Sequence, residues 1–175
     1  GKYLLSSLPL GEYQVIEANA KIPGYVLTAD YSVEEGTTEI LHNETATVTI
    51  TNNYETTSVK ISKVDITSHE ELEGAHLQII DQEGNIVDEW DSTKTAHETT
   101  GLRTGETYIL RETVAPDDYN ITNDTTFELN EDGTINTEKT TTTIKDGILL
   151  VEDTMKEYSD ADLTVTKHLT TNEGE

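Results

Sequence analysis

Three residues stand where charge is out of place. Lys63 follows Val59 and Ile61 at alternate positions, Glu112 follows Tyr108 and Leu110, and Asp153 follows Leu149 and Val151. In a strand, such positions share a face, so each charge extends an apolar row. An ionised group there is costly unless it is neutralised or partnered. Burial lowers the pKa of an amine and raises that of a carboxyl group. A lysine so placed becomes a neutral nucleophile, and a carboxylic acid so placed can donate a hydrogen bond or polarise a carbonyl. Glu152 sits beside Asp153, and a slip of one residue in register exchanges their faces. Both remain candidates for the inward carboxyl group.

The elements that must position these groups are strands. Val59–Asp65 alternates and carries Lys63 inward. Glu73–Ile79 and Ile86–Trp90 flank the turn Asp81–Asn85, and Tyr108–Thr113 ends at Pro116 and the pair Asp117-Asp118. Thr126–Leu129 precedes the turn Asn130–Gly133, and Ile148–Thr154 closes the unit. Upstream, Lys2–Leu8, Glu12–Glu17, Ala29–Glu34 and Thr45–Asn52 read as strands. The last puts Val48, Ile50 and Asn52 on one face, so Asn52 ends an apolar row much as Asp153 does. Tyr54–Ser58 has the composition of a linker. No helix is expected beyond short loop turns.

The chain repeats itself. Leu8-x-x-Gly11, Tyr13, Glu17 and Pro23-Gly24-Tyr25 form a diverged copy of Leu102-x-x-Gly105, Tyr108, Glu112 and Pro116-x-Asp118-Tyr119. Leu163-Thr164-Val165-Thr166-Lys167 copies Val59 to Lys63. Glu17, Asn52 and Lys167 are therefore candidates of the same kind as the central three.

Composition narrows the function classes. The 35 acidic against 11 basic residues give a formal net charge of −24, which argues against nucleic acids and anionic membranes as partners. Frequent Thr, Val, Ile and Tyr suit small β domains better than disorder. Cysteine is absent, so disulfides cannot brace them. His42, His69, His76, His97 and His168 show no metal-ligand spacing, and no cofactor is implied. Trp90 fits a core or sheet edge better than a sugar platform. The paired carboxyl groups do not suggest a glycosidase, because the unit lacks the insertions that would form a cleft. No signal peptide, transmembrane-length apolar run or sorting tail is present, which reads as a segment of a larger protein.

The run Leu102-x-x-Gly105 followed by Tyr108-x-Leu110-x-Glu112-x-x-Ala115-Pro116-x-Asp118-Tyr119 resembles the collagen-adhesin B-type domain (Cna-B, SpaA-type, prealbumin-like). Gly74-Ala75-x-Leu77-x-Ile79 resembles that family's second strand, with Leu77 in the place of Phe. Asp118 stands where the family has Gly. The resemblance implies an all-β, immunoglobulin-like or prealbumin-like antiparallel sandwich in tandem repeats, with seven strands in the complete unit. Residues 1–54 would be the C-terminal part of a first domain, 57–155 a complete domain, and 160–175 the first strand of a third.

The resemblance also implies a function. Such domains form stalks and pilin shafts of Gram-positive surface proteins, so a cell-wall-attached extracellular module is expected. In the family a lysine on the first strand joins an Asn or Asp on the last through a spontaneous amide, assisted by a Glu. Carried over, Lys63 would bond Asp153 with help from Glu112. Glu17 and Asn52 would be the assisting and acceptor groups of the first domain, and Lys167 the lysine of the third. Implied partners are neighbouring B-type domains and head-to-tail copies of the chain itself; a host ligand is not specified. Rival readings are an adhesin module gripping a host protein or glycan, and a strand-complemented filament unit.

Overall fold

Alternating β-branched and polar residues carry most of the chain into strands. The computed structural model describes residues 1–18, 20–158 and 163–167. In chain order the strands are β1 (Gly11–Gln14), β2 (Val26–Tyr31), β3 (Thr37–Ile40), β4 (Ile50–Glu55), β5 (Thr57–Asp65) and β6 (His76–Ile80). They continue with β7 (Ile86–Asp91), β8 (His97–Leu102), β9 (Thr107–Val114), β10 (Thr125–Glu128), β11 (Thr143–Lys145) and β12 (Ile148–Asp153). A 3-10 turn, Glu34–Gly36, is the helical structure among the described residues. None of their helices is long and apolar enough to cross a membrane.

Residues 57–155 form a sandwich of two four-stranded sheets, ordered β10-β9-β6-β7 and β11-β12-β5-β8. Their inner faces enclose Val59, Ile61, Leu77, Ile79, Leu102, Tyr108, Leu110, Phe127, Leu129, Leu149 and Val151. The hairpin between β6 and β7 is set by Asp81, whose Oδ1 accepts the amides of Glu83 and Asn85 at 2.9 and 2.8 Å, with Gly84 at φ +87°. The turn after β9 places Asp118 at φ +67°, a conformation that favours the glycine found there in the family pattern.

The all-β sandwich agrees with expectation, but its details correct the sequence reading. The unit has eight strands, and one ladder is parallel: β5 lies beside β12 with Ile61 opposite Leu149, Lys63 opposite Val151 and Asp65 opposite Asp153. These are the first and last strands of the unit. No hairpin dictates their relative direction, and the intervening strands supply the long crossover that a parallel pair needs.

The N-terminal strands pair as β1-β3 and β2-β4. Lys2–Leu8 is no strand, and Tyr3, Leu4 and Leu5 are exposed; alternation yields a strand only where a partner edge receives it. The other expected N-terminal strands shift to β1, β2 and β4, and β3 was not foreseen. Tyr54–Ser58 is no linker, since only Thr56 separates β4 from β5. Threonine is β-branched, and its polarity misleads more than its backbone preference does. Leu163–Lys167 has no strand structure. The rest of the expected third unit, 160–162 and 168–175, lies outside the described residues.

Residues 1–54 contribute no apolar side chain to the buried core among the described residues. They rest on the sandwich through polar contacts: Thr104 N donates to Gly24 O at 3.1 Å, Lys21 pairs with Glu131, and the Arg103 guanidinium lies 5.5 Å from the Tyr25 ring centre. The stability of the sandwich therefore resides in its own core. Phe127 is fully buried and stacks on Tyr108 at 5.4 Å between ring centres. Phe127→Ala should destabilise the 57–155 unit by about 3–5 kcal/mol, measured by urea unfolding in a Lys63→Met background that cannot crosslink.

Candidate functional site

The alternation that put Lys63, Glu112 and Asp153 on apolar faces brings them together at one end of the sandwich. Lys63 and Asp153 point inward from the neighbouring parallel strands β5 and β12, and Glu112 reaches them from β9 in the opposite sheet. Relative exposures are 2% for Lys63, 4% for Glu112 and 1% for Asp153. Lys63 Nζ lies 3.1 Å from Glu112 Oε1 and in direct contact with Asp153 Oδ1. These approaches lack hydrogen-bond geometry. Lys63 Nζ, Glu112 Oε1 and both carboxylate oxygens of Asp153 are buried with no hydrogen-bond partner.

An ordinary buried ion pair survives by satisfying its donors and acceptors, because desolvation cancels much of the Coulombic gain. Here the amine and its nearest carboxyl group touch without doing so. Burial pushes the Glu112 carboxyl above its ordinary pKa, opposed in part by the Thr122 amide and by Lys63. Glu112 Oε2 accepts from Thr122 N at 2.7 Å. The segment after β9 that holds Thr122 is tied to the end of β12, where Asn120 N donates to Thr154 O at 2.9 Å. Glu152, the other carboxyl candidate, turns to the opposite face. It accepts from Thr143 Oγ1 at 2.6 Å and does not reach Lys63.

The Thr122 amide escaped the sequence reading. A backbone donor has no residue signature, and the turn at Pro116 and Asp118 was its one indirect sign. Among the other candidates, Glu17 and Asn52 meet: Asn52 Nδ2 donates to Glu17 Oε1 at 2.8 Å, and the amide of Glu17 donates to the Tyr31 hydroxyl at 3.1 Å. Glu17 Oε2 and Asn52 Oδ1 are buried without partners. Lys167 is exposed and is not part of either cluster. His76 and His97 pair with Asp91 and Asp88, and Trp90 stacks on His97 at 4.1 Å along the sandwich edge. No group suited to a metal ion occurs among the described residues.

Residues 57–143 match the family model described as SpaA, prealbumin-like fold domain. This unit is a SpaA-type domain. Among solved structures, the chain is similar to the Bacillus anthracis TIE protein, at 29% identity over 85% of this chain and 26% of that one, with a TM-score of 0.50. It is also similar to the pilus-presented adhesin Cpa, at 32% identity over 46% of this chain and 18% of that one, with a TM-score of 0.40. A third is the group B streptococcus pilus 2b backbone protein, at 22% identity over 77% of this chain and 53% of that one, with a TM-score of 0.46. The chain thus spans about a quarter or less of the first two structures. No curated protein matches the sequence. The similar structures thus include a pilus-presented adhesin and a pilus backbone protein.

The raised pKa of Glu112 makes the SpaA-type domain's stability depend on pH in a definite direction. In Lys63→Met no crosslink can form, and the lowering influence of Lys63 is gone. Unfolded Glu112 titrates near the ordinary value of 4.5, and folded Glu112 higher. Between the two the folded state holds the extra proton, so stability falls as pH rises and levels off above the folded pKa. The unfolding midpoint of Lys63→Met, less that of Lys63→Met/Glu112→Gln, should decline across this window. A difference flat with pH contradicts the assignment.

Proposed function

We propose that this chain is a structural module of a cell-wall-attached Gram-positive adhesin or pilin, stiffened by an internal amide between Lys63 and Asp153. The observation that carries this reading is the buried amine in contact with a carboxyl group, both without hydrogen-bond partners. As ions they are poorly stabilised. As an amide they carry no charge at all.

The chemistry balances without any added reagent. A proton passes from the Lys63 ammonium to Asp153, giving a neutral amine and a neutral acid, which low polarity favours over the separated charges. The amine attacks Cγ of Asp153. The C–N bond forms, a C–O bond breaks, and one water leaves. In its protonated form, which burial favours, Glu112 donates a hydrogen bond to the developing oxyanion and relays the proton from nitrogen to the departing hydroxyl. The Thr122 amide fixes the Glu112 carboxyl group. The fold itself supplies proximity, which turns a slow condensation into an intramolecular one.

The parallel ladder gives such a bond a mechanical role. Tension entering at Thr57 and leaving after Asp153 pulls β5 and β12 in opposite directions along their length. With Lys63 bonded to Asp153, the load passes from β5 directly into the end of β12. Residues between 63 and 153 then lie off the load path.

Intact-mass measurement should find the chain one water lighter than its sequence, with peptide mapping placing the link at Lys63 and Asp153. Lys63→Ala should have the full mass, and Glu112→Gln should fold but remain unlinked. A full mass for the unaltered chain refutes the crosslink. In single-molecule pulling, the linked 57–155 unit should give no unfolding step of domain length, whereas Lys63→Ala should give one. Closing the loop between 63 and 153 should also stabilise the unit by about 4–5 kcal/mol relative to an unlinked variant, by the chain-entropy relation used for disulfides. Thermal unfolding checks that difference.

A further inference from the structure

The inward rows of β5 and β12 continue past the buried cluster. Two residues beyond Lys63 stands Asp65, opposite Asp153 in the parallel register and itself buried. Two residues beyond Asp153 stands Met155, which forms an isolated antiparallel bridge with Tyr119. Tyr119 belongs to the turn that follows Glu112 and the end of β9. The period of two therefore stacks a second layer, Asp65, Tyr119 and Met155, on the layer of Lys63, Glu112 and Asp153.

Backbone hydrogen bonds tie this outer layer down. Ile66 N donates to Asp153 O at 3.0 Å, Asn120 N to Thr154 O at 2.9 Å and Lys156 N to Asp118 O at 2.7 Å. Asp65 Oδ1 accepts the amides of Thr67 and Ser68 at 2.8 and 2.7 Å. The Ser68 amide, and then that of Thr67, hold the Asp65 carboxyl below its ordinary pKa. Desolvation first, and then Asp65 beside it, raise the Tyr119 hydroxyl above its own. A neutral phenol facing a fixed carboxylate has its ring held in place.

Beyond the layer lies a cavity of about 540 Å³, whose lining includes Asp65, Ile66, Tyr119, Thr154 and Met155. Lys63, Glu112 and Asp153 do not line it, and all three are buried. The cavity has room for many waters at about 30 Å³ each. Tyr119 is the largest side chain of the layer, so its ring is the main partition between that space and the buried amine.

We propose that Tyr119 is a positioning residue of the crosslinking site, a lid whose ring keeps water from Glu112 and Lys63. Its effect on bond formation rests on the crosslink proposed above; the exclusion of water does not. Glu112 serves as proton donor only in its neutral form, and water beside it favours the carboxylate. Burial is the largest cause of the raised Glu112 pKa. The Thr122 amide and Lys63 oppose it, and Asp153 adds to it. Opening the lid weakens the largest of these and leaves the three neighbours in place.

The test is an NMR titration of the Glu112 carboxyl in the full chain carrying Lys63→Met, where no bond can form. Tyr119→Ala should lower the Glu112 pKa toward its ordinary value of 4.5. Tyr119→Leu should lower it less, and Tyr119→Phe, which keeps the ring, should leave it in place. Tyr119→Leu retains apolar bulk and carries the test if Tyr119→Ala fails to fold. A Glu112 pKa that neither change moves, or that Tyr119→Phe lowers as far as Tyr119→Ala, overturns the lid. With Lys63 restored, intact mass is followed in time after cell-free synthesis. Tyr119→Ala should slow the loss of water by about tenfold or more, within the about 10²–10⁴-fold that general acid catalysis contributes, and Tyr119→Phe should restore the rate. An unchanged rate in Tyr119→Ala, where the unaltered chain does react, overturns the positioning role. An unaltered chain of full mass refutes the crosslink alone, because the titration still decides whether Tyr119 shields Glu112.

Discussion

An ammonium group buried to 2% exposure constrains everything around it. Removing such a charge from water is expensive, so Lys63 requires acidic partners delivered into the same interior. Neither sheet alone provides them. The carboxyl group of Asp153 comes from the neighbouring strand, and that of Glu112 comes across the sandwich. The site therefore exists only when β5, β9 and β12 are all in register. The segment around Thr122 holds the remaining oxygen of Glu112, so even a loop after β9 has a fixed position.

Much of this was legible because a strand's period of two is simple to read. Lys63, Glu112 and Asp153 each broke an apolar row, and each proved to be buried. Asp153 and Glu152 could not be separated by pattern, since one residue of register exchanges their faces; the Thr143 hydroxyl and the Lys63 amine mark which is which. The direction of β5 against β12 was not legible. It depends on how the connecting strands are arranged and on no residue in either strand. The strands β3 and β11 were missed because they are short, and β8, His-Glu-Thr-Thr-Gly-Leu, because it is polar with no apolar alternation. Lys2–Leu8 failed in the opposite way: it has apolar residues but no edge to pair with.

The N-terminal strands show the same residues under weaker constraint. Glu17 and Asn52 meet and hydrogen-bond, yet among the described residues no buried apolar cluster surrounds them. Asn52 lies on β4 opposite Ala29 of β2, and Glu17 follows β1 with its amide held by the Tyr31 hydroxyl at the end of β2. What burial adds in the central unit is the lasting exclusion of water that makes an unpaired charge unstable.

The single residue between β4 and β5 has a consequence for flexibility. Thr56 offers two soft backbone torsions, and the contacts of Thr104 with Gly24 and of Arg103 with Tyr25 oppose rotation about them. Bending at this junction must break those contacts as well as turn the torsions. Thermal motion therefore bends the chain here through small angles, as a stiff rod bends, and does not swing the N-terminal strands freely like a bead on a string.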